Sequence, residues 1–176
     1  RYIRSIARQG YTMAVNVSPI AVRQTEVDYE ALIKPYLGLV NGRSAIETLK
    51  LARIAEARAL FGDLLVRHPG EGQLHIGMAN ACVLIYESTR ADEAPDRDAL
   101  RLAGFHAHEA CCLLPDSAEA YATLGFVLAR SGDRLQAVAS LRRAIVLEPV
   151  NWQHRIRHSF GTWGSERLSA AYEALA

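Results

Sequence analysis

The chain has few cysteines, and their arrangement excludes the chemistry that cysteine often signals. Only three of its 176 residues are cysteines: Cys82, Cys111 and Cys112. An odd number without a Cys-x-x-Cys pair does not match the disulfide framework of a small secreted protein or a cysteine-based zinc site. Each cysteine lies among apolar residues on a predicted helix. We therefore expect three buried, reduced and metal-free thiols in a cytoplasmic protein.

Long apolar runs and a strong net charge are also missing. No apolar run is long enough to span a bilayer, and no signal peptide opens the chain. The formal net charge is +1, which argues against a protein that binds nucleic acid with its whole surface. Half of the residues (50%) are apolar, enough for a buried core at this length. Because the chain starts with Arg inside a motif, we expect it to be a fragment of a longer protein.

The patterns that mark catalytic centres are absent as well. The sequence has no glycine-rich phosphate loop, no Ser/His/Asp order and no pair of carboxylates in an apolar setting. His154 and His158 have the spacing of two zinc ligands on one helix face, but no Glu lies between them and no third ligand is evident. They are expected to be packed or solvated, and His106 and His108 point in different directions. We expect no enzymatic activity, no cofactor and no metal.

What the sequence does contain is a helical hairpin with a clear pattern, at residues 118–151. Apolar residues and a proline stand at fixed places: Tyr121, Leu124, Gly125, Leu128, Ala137, Leu141, Ala144 and Pro149. Gly125 and Ala137 are small where the two helices approach most closely. Ser131-Gly132-Asp133 is the predicted turn, because Gly takes positive φ easily. Pro149 ends the second helix.

Three further hairpins follow the same spacing less closely. Their predicted first helices are Asp28–Val40, Gln73–Glu87 and Asn151–Gly161. The predicted turns and loops after these helices are Asn41-Gly42, Ser88–Asp98 and Thr162–Ser165. Pro69 and Pro115 close the second helices of the first two hairpins, and Glu166–Leu175 is the last second helix. One hairpin cannot bury its apolar face alone, so the four are expected to stack.

The hairpin at 118–151 resembles the tetratricopeptide repeat (TPR) almost throughout, at the places quoted above. The resemblance implies an all-α, TPR-like helical-hairpin solenoid of about four hairpins over residues 28–176. It also implies protein contact in place of catalysis, because such a solenoid presents a surface and usually carries no catalytic constellation.

In this family the first helices line a concave groove that binds a protein or peptide. The register places there, among other residues, Gln73, Asn80, Glu119, Phe126, Phe160 and Trp163. The lysines of the family's carboxylate clamp are missing, because Ile76 and Ala122 occupy their places. The aromatic residues favour a hydrophobic peptide or a helix as the partner. Alternatively, they pack a neighbouring or capping helix.

The first fifteen residues form a different element, a predicted short N-terminal β-hairpin. Tyr2–Ile6 and Tyr11–Val15 alternate like strands, and the segment carries three arginines but no acid. It resembles the closing wing, Y-I-x-T-V-x-G-x-G-Y-x-F, of OmpR/PhoB-type winged-helix DNA-binding domains, although Met13 replaces the Phe. The resemblance implies that Arg4 and Arg8 contact DNA. The alternative is an ordinary β-hairpin.

A wing (1–15), a linker (16–27) and helical repeats (28–176) together resemble the ToxR/CadC/HilA-like transcription regulators of bacteria. The resemblance implies a C-terminal interaction or sensory domain that controls DNA binding by self-association or by capturing a partner, with the DNA-reading helix upstream. A stand-alone peptide-binding scaffold and a regulatory appendage of a missing enzyme domain remain alternatives. We expect a homodimer, because the apolar side of the wing and the uncapped last hairpin both need a cover.

Overall fold

The computed structural model describes residues 3–6, 10–13 and 29–161 of the chain. Two compact units can be distinguished, Arg1–Leu32 and Ile33–Ala176. In the first unit, β1 (Ile3–Ile6) and β2 (Gly10–Met13) pair antiparallel, with Ile3 opposite Met13. The predicted N-terminal β-hairpin is therefore present, and Arg4 lies on β1. Arg8 and the predicted linker, residues 16–27, lie outside the described residues.

Apart from the two strands, all regular structure of the described residues is helical, and the first helix begins within the first unit. The helices are α1 (Tyr29–Glu47), α2 (Leu51–Arg67), α3 (Gly72–Thr89), α4 (Arg97–Leu113), α5 (Ala118–Ser131), α6 (Arg134–Leu147) and α7 (Trp152–Gly161). The helices α3 and α4 form one hairpin, and α5 and α6 form the next. The first helices also contact each other, α3 with α5 and α5 with α7. This arrangement confirms the predicted TPR-like solenoid.

The hairpin of α5 and α6 follows the sequence pattern closely. A Cβ atom on Gly125 would lie 2.5 Å from Leu141 Cγ and 2.9 Å from the Ala137 carbonyl oxygen, so only glycine permits this approach. The turn is at Gly132, which has a φ of 90°. Asp133 then caps α6, since its Oδ1 accepts from the Gln136 N–H at 3.1 Å. The predicted turn and the predicted close approach are both confirmed.

The first hairpin differs from its prediction. The expected turn at Asn41-Gly42 is wrong, because α1 continues through both residues to Glu47. The chain turns instead at residues 48–50, where Leu49 has a positive φ of 53°. Gly42 stays helical because its missing side chain makes room for Phe61: a Cβ there would lie 2.4 Å from Phe61 Cζ. This packing outweighs the helix-propensity cost of glycine, about 1 kcal/mol.

The core lies between the helices, and small residues let α4 approach its neighbours closely. Four alanines of α4 are buried: Ala99, Ala103, Ala107 and Ala110. The predicted polar loop of this hairpin is confirmed, although it is shorter at both ends than Ser88–Asp98, because α3 ends at Thr89 and α4 begins at Arg97. Asp96 caps α4 by accepting from the Ala99 N–H at 2.8 Å.

The three thiols differ in their surroundings. Cys82 is buried in the core and Cys111 is half-buried, and burial raises the pKa of both thiols to about 11. The expectation that all three are buried is wrong for Cys112, which is exposed. The physical reason is that Cys112 follows Cys111 by one residue, about 100° around the helix, and so leaves the packed face of α4.

Candidate functional site

The helices α1, α3, α5 and α7 line an open cavity of about 440 Å³, which is within the usual size of a binding pocket. It is lined by Arg43, Ile46, Glu47, Leu49, Gly77, Asn80, Val83, Leu84, Glu119, Phe126, Gln153 and Arg157. These are residues of the first helices of successive hairpins and of the turn after α1. The cavity therefore occupies the groove that the sequence pattern predicts for a solenoid of this type.

The predicted groove residues are found at different places. Asn80, Glu119 and Phe126 line the cavity, and Gln73 contacts it through Arg43. Phe160 lies on α7, but its side chain is outside the described part of the structure, and Trp163 lies beyond it altogether.

Two further positions of the same register do not face the cavity. Ile76 and Ala122 are completely buried and belong to the core. Apolar residues at this place of each first helix therefore pack between helices, whereas the places of Glu119, Asn80 and Phe126 point into the groove.

One arginine connects three of the helices that line the cavity. Arg43 Nη2 donates to Gln73 Oε1 and to Glu119 Oε2, each at 2.7 Å. Arg43 and Glu119 are each 40% exposed, so this pair contributes little to the free energy of unfolding, about 1 kcal/mol or less. Its structural effect is to hold the Glu119 carboxylate at a fixed place in the groove.

A second arginine supports the aromatic wall of the cavity. The Arg130 guanidinium carbon lies 4.5 Å from the centroid of the Phe126 ring. Arg130 Nε also lies 2.7 Å from Glu87 Oε1, and both charged side chains are only about a fifth exposed, 23% and 22%. The ion pair with Glu87 positions the Arg130 guanidinium over the Phe126 ring.

Arg157 is the third arginine of the site, and its surroundings differ. It reaches the cavity from α7 and is half-buried. Burial lowers the pKa of its guanidinium, and the charge of Glu119 acts in the opposite direction. Its guanidinium makes no hydrogen bond to any residue that the structure describes. Among the described residues, the N–H donors of Arg157 therefore have no acceptor, although the residue lines the cavity.

The histidines take part in packing away from the cavity. His154 is buried, and its Nε2 lies 3.0 Å from Glu148 Oε2. Hydrogen bonds from Asn151 and His154 lower the pKa of the Glu148 carboxyl. His75 and His106 meet through their Nδ1 atoms, 2.9 Å apart. Over residues 29–161 and the two strands, no three His, Cys, Asp or Glu side chains come together to hold a metal ion.

Sequence reasoning placed Gln153 of α7 in the groove but missed Arg157 on the same helix and the residues that α1 contributes, above all Arg43. Arg43 was missed because the local pattern predicts a turn at Asn41-Gly42. A signal was present, since Arg43 follows Gly42 as Phe126 follows Gly125, and both glycines accept a buried side chain of the second helix. Arg157 lies one helical turn after Gln153, a place that the groove register does not include.

No protein-family model matches the chain, and no curated protein matches it by sequence. Among solved structures, a thermophilic TPR protein from Thermus thermophilus superposes with a TM-score of 0.68 at 24% identity, over 83% of this chain and 75% of that one. A mutant of the O-GlcNAc transferase of Thermobaculum terrenum superposes with a TM-score of 0.64 at 17% identity, over 81% of this chain. The match spans 26% of the transferase chain. These similarities concern the fold, and they establish that it is TPR-like.

Proposed function

We propose that the repeat domain is a protein-interaction module that binds a segment of a partner protein in the cavity between α1, α3, α5 and α7. The observation that carries the proposal is the composition of the cavity wall. Ile46, Leu84 and Phe126 offer apolar surface, while Asn80 and Gln153 offer hydrogen-bonding groups. Peptide grooves combine these two properties, with apolar anchors for affinity and a few polar groups for orientation.

Filling the cavity tests this proposal. Gln153 is exposed and Asn80 half-buried, so Gln153→Trp and Asn80→Trp add bulk to the cavity without disturbing the core. Gln136→Trp is the matched control, because Gln136 is exposed on α6 and does not line the cavity. Peptides selected from a random phage-displayed library on the wild-type protein are synthesised with a fluorescent label. Their affinity is then measured by fluorescence polarisation.

We expect at least tenfold weaker binding to the two cavity variants and less than a twofold change for the control, with unchanged circular dichroism in all three. Equal binding to all variants would show that the partner segment binds elsewhere. The proposal would also be overturned if no selected peptide bound more weakly to the two cavity variants than to the wild type.

We further propose that this module belongs to a cytoplasmic, winged-helix transcription regulator and has no catalytic activity of its own. The wing-like sequence of residues 1–15 supports this, together with the antiparallel pairing of β1 and β2 ahead of the repeats. In this setting a partner bound to the repeats, or a second copy of the chain, controls binding of DNA by a recognition helix upstream.

The proposal that the repeats belong to a winged-helix transcription regulator is tested on the full-length protein. Its reading frame is expected to encode a recognition helix within about forty residues upstream of Arg1. Arg4→Gln and Arg8→Gln are each expected to weaken binding to duplex DNA and to reduce the slope of log affinity against log salt concentration by about 1. A reading frame that encodes an enzyme domain there, or no DNA-binding helix, would contradict the proposal.

A homodimer is the remaining part of the proposal. Light scattering on the chain, and on the chain without residues 1–15, is expected to give a dimer at least for the intact chain. A monomer at high concentration in both samples would exclude it. A dimer that survives the deletion would place the interface on the repeats.

A further inference from the structure

We infer that the segment bound in the cavity carries an acidic side chain whose carboxylate pairs with Arg157. The inference rests on the proposed function and adds to it the chemistry of the partner. Its carrying observation is that the guanidinium of Arg157 lines the cavity without a hydrogen-bonded partner in the part of the chain that the structure describes.

The other two arginines of the site already have their acceptors. Arg43 is bound to Gln73 and Glu119, and Arg130 is paired with Glu87. Glu119 Oε2 lies 2.7 Å from Arg43 Nη2. The negative charge of Glu119 also acts on Arg157, without a hydrogen bond between the two side chains. One guanidinium in the groove is therefore left with several N–H donors and no acceptor among the described residues.

A bound segment makes this shortage of acceptors costly, because it would exclude water from the Arg157 guanidinium. A purely apolar segment would leave the Arg157 guanidinium buried without a hydrogen-bond acceptor, which costs several kcal/mol. A basic side chain beside Arg157 would add repulsion to the same cost, and one that paired with Glu47 or Glu119 would still leave Arg157 without an acceptor. A carboxylate removes both costs, and it matches the planar fork of donors that a guanidinium presents.

The shape of the cavity favours an acidic side chain over the carboxylate at the end of a chain. The lining residues come from four first helices, α1, α3, α5 and α7, so a bound segment crosses all of them and has no need to end inside. The apolar residues Ile46, Leu84 and Phe126 share the cavity with Arg157. The partner segment is therefore one in which Asp or Glu lies close to apolar residues.

The test uses the random phage-displayed peptides, which carry no free carboxyl terminus because they are fused at that end. Selection is carried out on the wild-type chain, on Arg157→Gln and on Arg142→Gln. Arg142 is the matched control, since it is exposed on α6 and lies outside the cavity lining. The best peptide is then synthesised in acetylated and amidated form, with its acidic residue intact and with that residue replaced by the matching amide. The second of these is also made with a free carboxyl terminus.

We expect an Asp or Glu at one fixed position among peptides selected on the wild type and on Arg142→Gln, and loss of this preference on Arg157→Gln. Replacing the acidic residue by its amide is expected to weaken binding to the wild type at least tenfold, the effect of about 1.4 kcal/mol. The same replacement is expected to change binding to Arg157→Gln less than twofold. This non-additivity identifies the two groups as partners.

Different failures have different meanings. Peptides that fill the cavity but show no acidic preference, or an acidic preference that Arg157→Gln leaves intact, overturn the inference while the proposed function stands. Binding that depends on Arg157 only when a free carboxyl terminus replaces the amide shows that the side-chain assignment is wrong. If Gln153→Trp weakens the binding of none of the selected peptides, both the proposed function and this inference are wrong.

Discussion

Replacing Gly77 by Ala is expected to destabilise the protein, whereas the same change at Gly104 is expected to stabilise it. Both glycines lie inside helices, Gly77 in α3 and Gly104 in α4. A helix gains about 1 kcal/mol when an interior glycine becomes alanine, so this contribution is equal at the two sites. The difference between the variants then measures only what the added methyl group meets.

At Gly77 the methyl group meets the ring of Phe61. A Cβ there would lie 2.5 Å from Cζ, 2.7 Å from Cε1 and 2.9 Å from Cε2 of Phe61. The ring is completely buried, and Gly42 lies against the same Cζ atom, where a Cβ would come within 2.4 Å. Since the ring is held between two backbones, relief requires movement of a helix. Overpacking of this kind costs about 1–3 kcal/mol. After the gain in helix propensity of about 1 kcal/mol, the net destabilisation is at most about 2 kcal/mol.

At Gly104 the added methyl group would be 4.0 Å from Val127 Cγ1, an ordinary contact. Gly104→Ala therefore keeps the gain in helix propensity, about 0.5–1 kcal/mol. Urea denaturation followed by circular dichroism measures both changes, with free energies obtained by linear extrapolation. The double variant Phe61→Leu/Gly77→Ala is the control for mechanism, because the smaller side chain removes the clash. It is expected to be more stable than the sum of the single changes predicts.

Stabilisation of Gly77→Ala equal to that of Gly104→Ala would refute the idea that Phe61 is wedged between α1 and α3. Additive effects of Phe61→Leu and Gly77→Ala would refute it independently. Either result would also remove the explanation given above for the continuation of α1 through Gly42, since that explanation depends on the same ring.

The hairpin of α5 and α6 was predictable from the sequence because local chemistry determines it. Gly132 has the positive φ that glycine adopts most easily, Asp133 supplies the cap, and Pro149 follows the end of α6. All of these act within a few residues of where they stand. The TPR-like pattern thus predicted the turn and both helix boundaries to within about two residues.

The first hairpin was not predictable in the same way, because its outcome depends on a distant residue. Asn-Gly is a turn former by local preference, yet Asn41 and Gly42 are helical here. What decides is Phe61 on the following helix, which requires a residue without a side chain at position 42. Local turn preference and tertiary packing favour different structures at residues 41 and 42. The outcome depends on Phe61, which the local sequence does not reveal.

In the candidate site, too, the positions set by the local pattern were predictable and the contacts between distant residues were not. The sequence register placed Asn80, Glu119 and Phe126 in the groove, and the cavity contains them. It did not reveal their partners, because Arg43 and Glu119 are 76 positions apart along the chain. Nor did it distinguish Arg157 from the paired arginines, since the supply of acceptors around a guanidinium is a property of the assembled cavity.

Three further changes test the local structure. Gly132→Ala is expected to lower the free energy of unfolding by about 1 kcal/mol in urea denaturation, because φ is 90° at this position. Asp96→Ala is expected to cost about 0.5–2 kcal/mol by the same measurement, because it removes the cap of α4. His106→Gln is expected to reduce the loss of stability in acid. Burial and the neighbouring His75 lower the pKa of His106 from 6.5 to about 4 in the folded protein. The unfolded chain therefore binds a proton first as the pH falls, so stability is complete above about pH 6.5 and is lost between 6.5 and 4, by roughly 1–3 kcal/mol after allowance for partial exposure. Urea midpoints measured from pH 7.5 to pH 5 should fall more steeply for the wild type than for His106→Gln. His108→Gln, an exposed site on the same helix, should behave like the wild type, and equal slopes for all three proteins would contradict the assignment to His106.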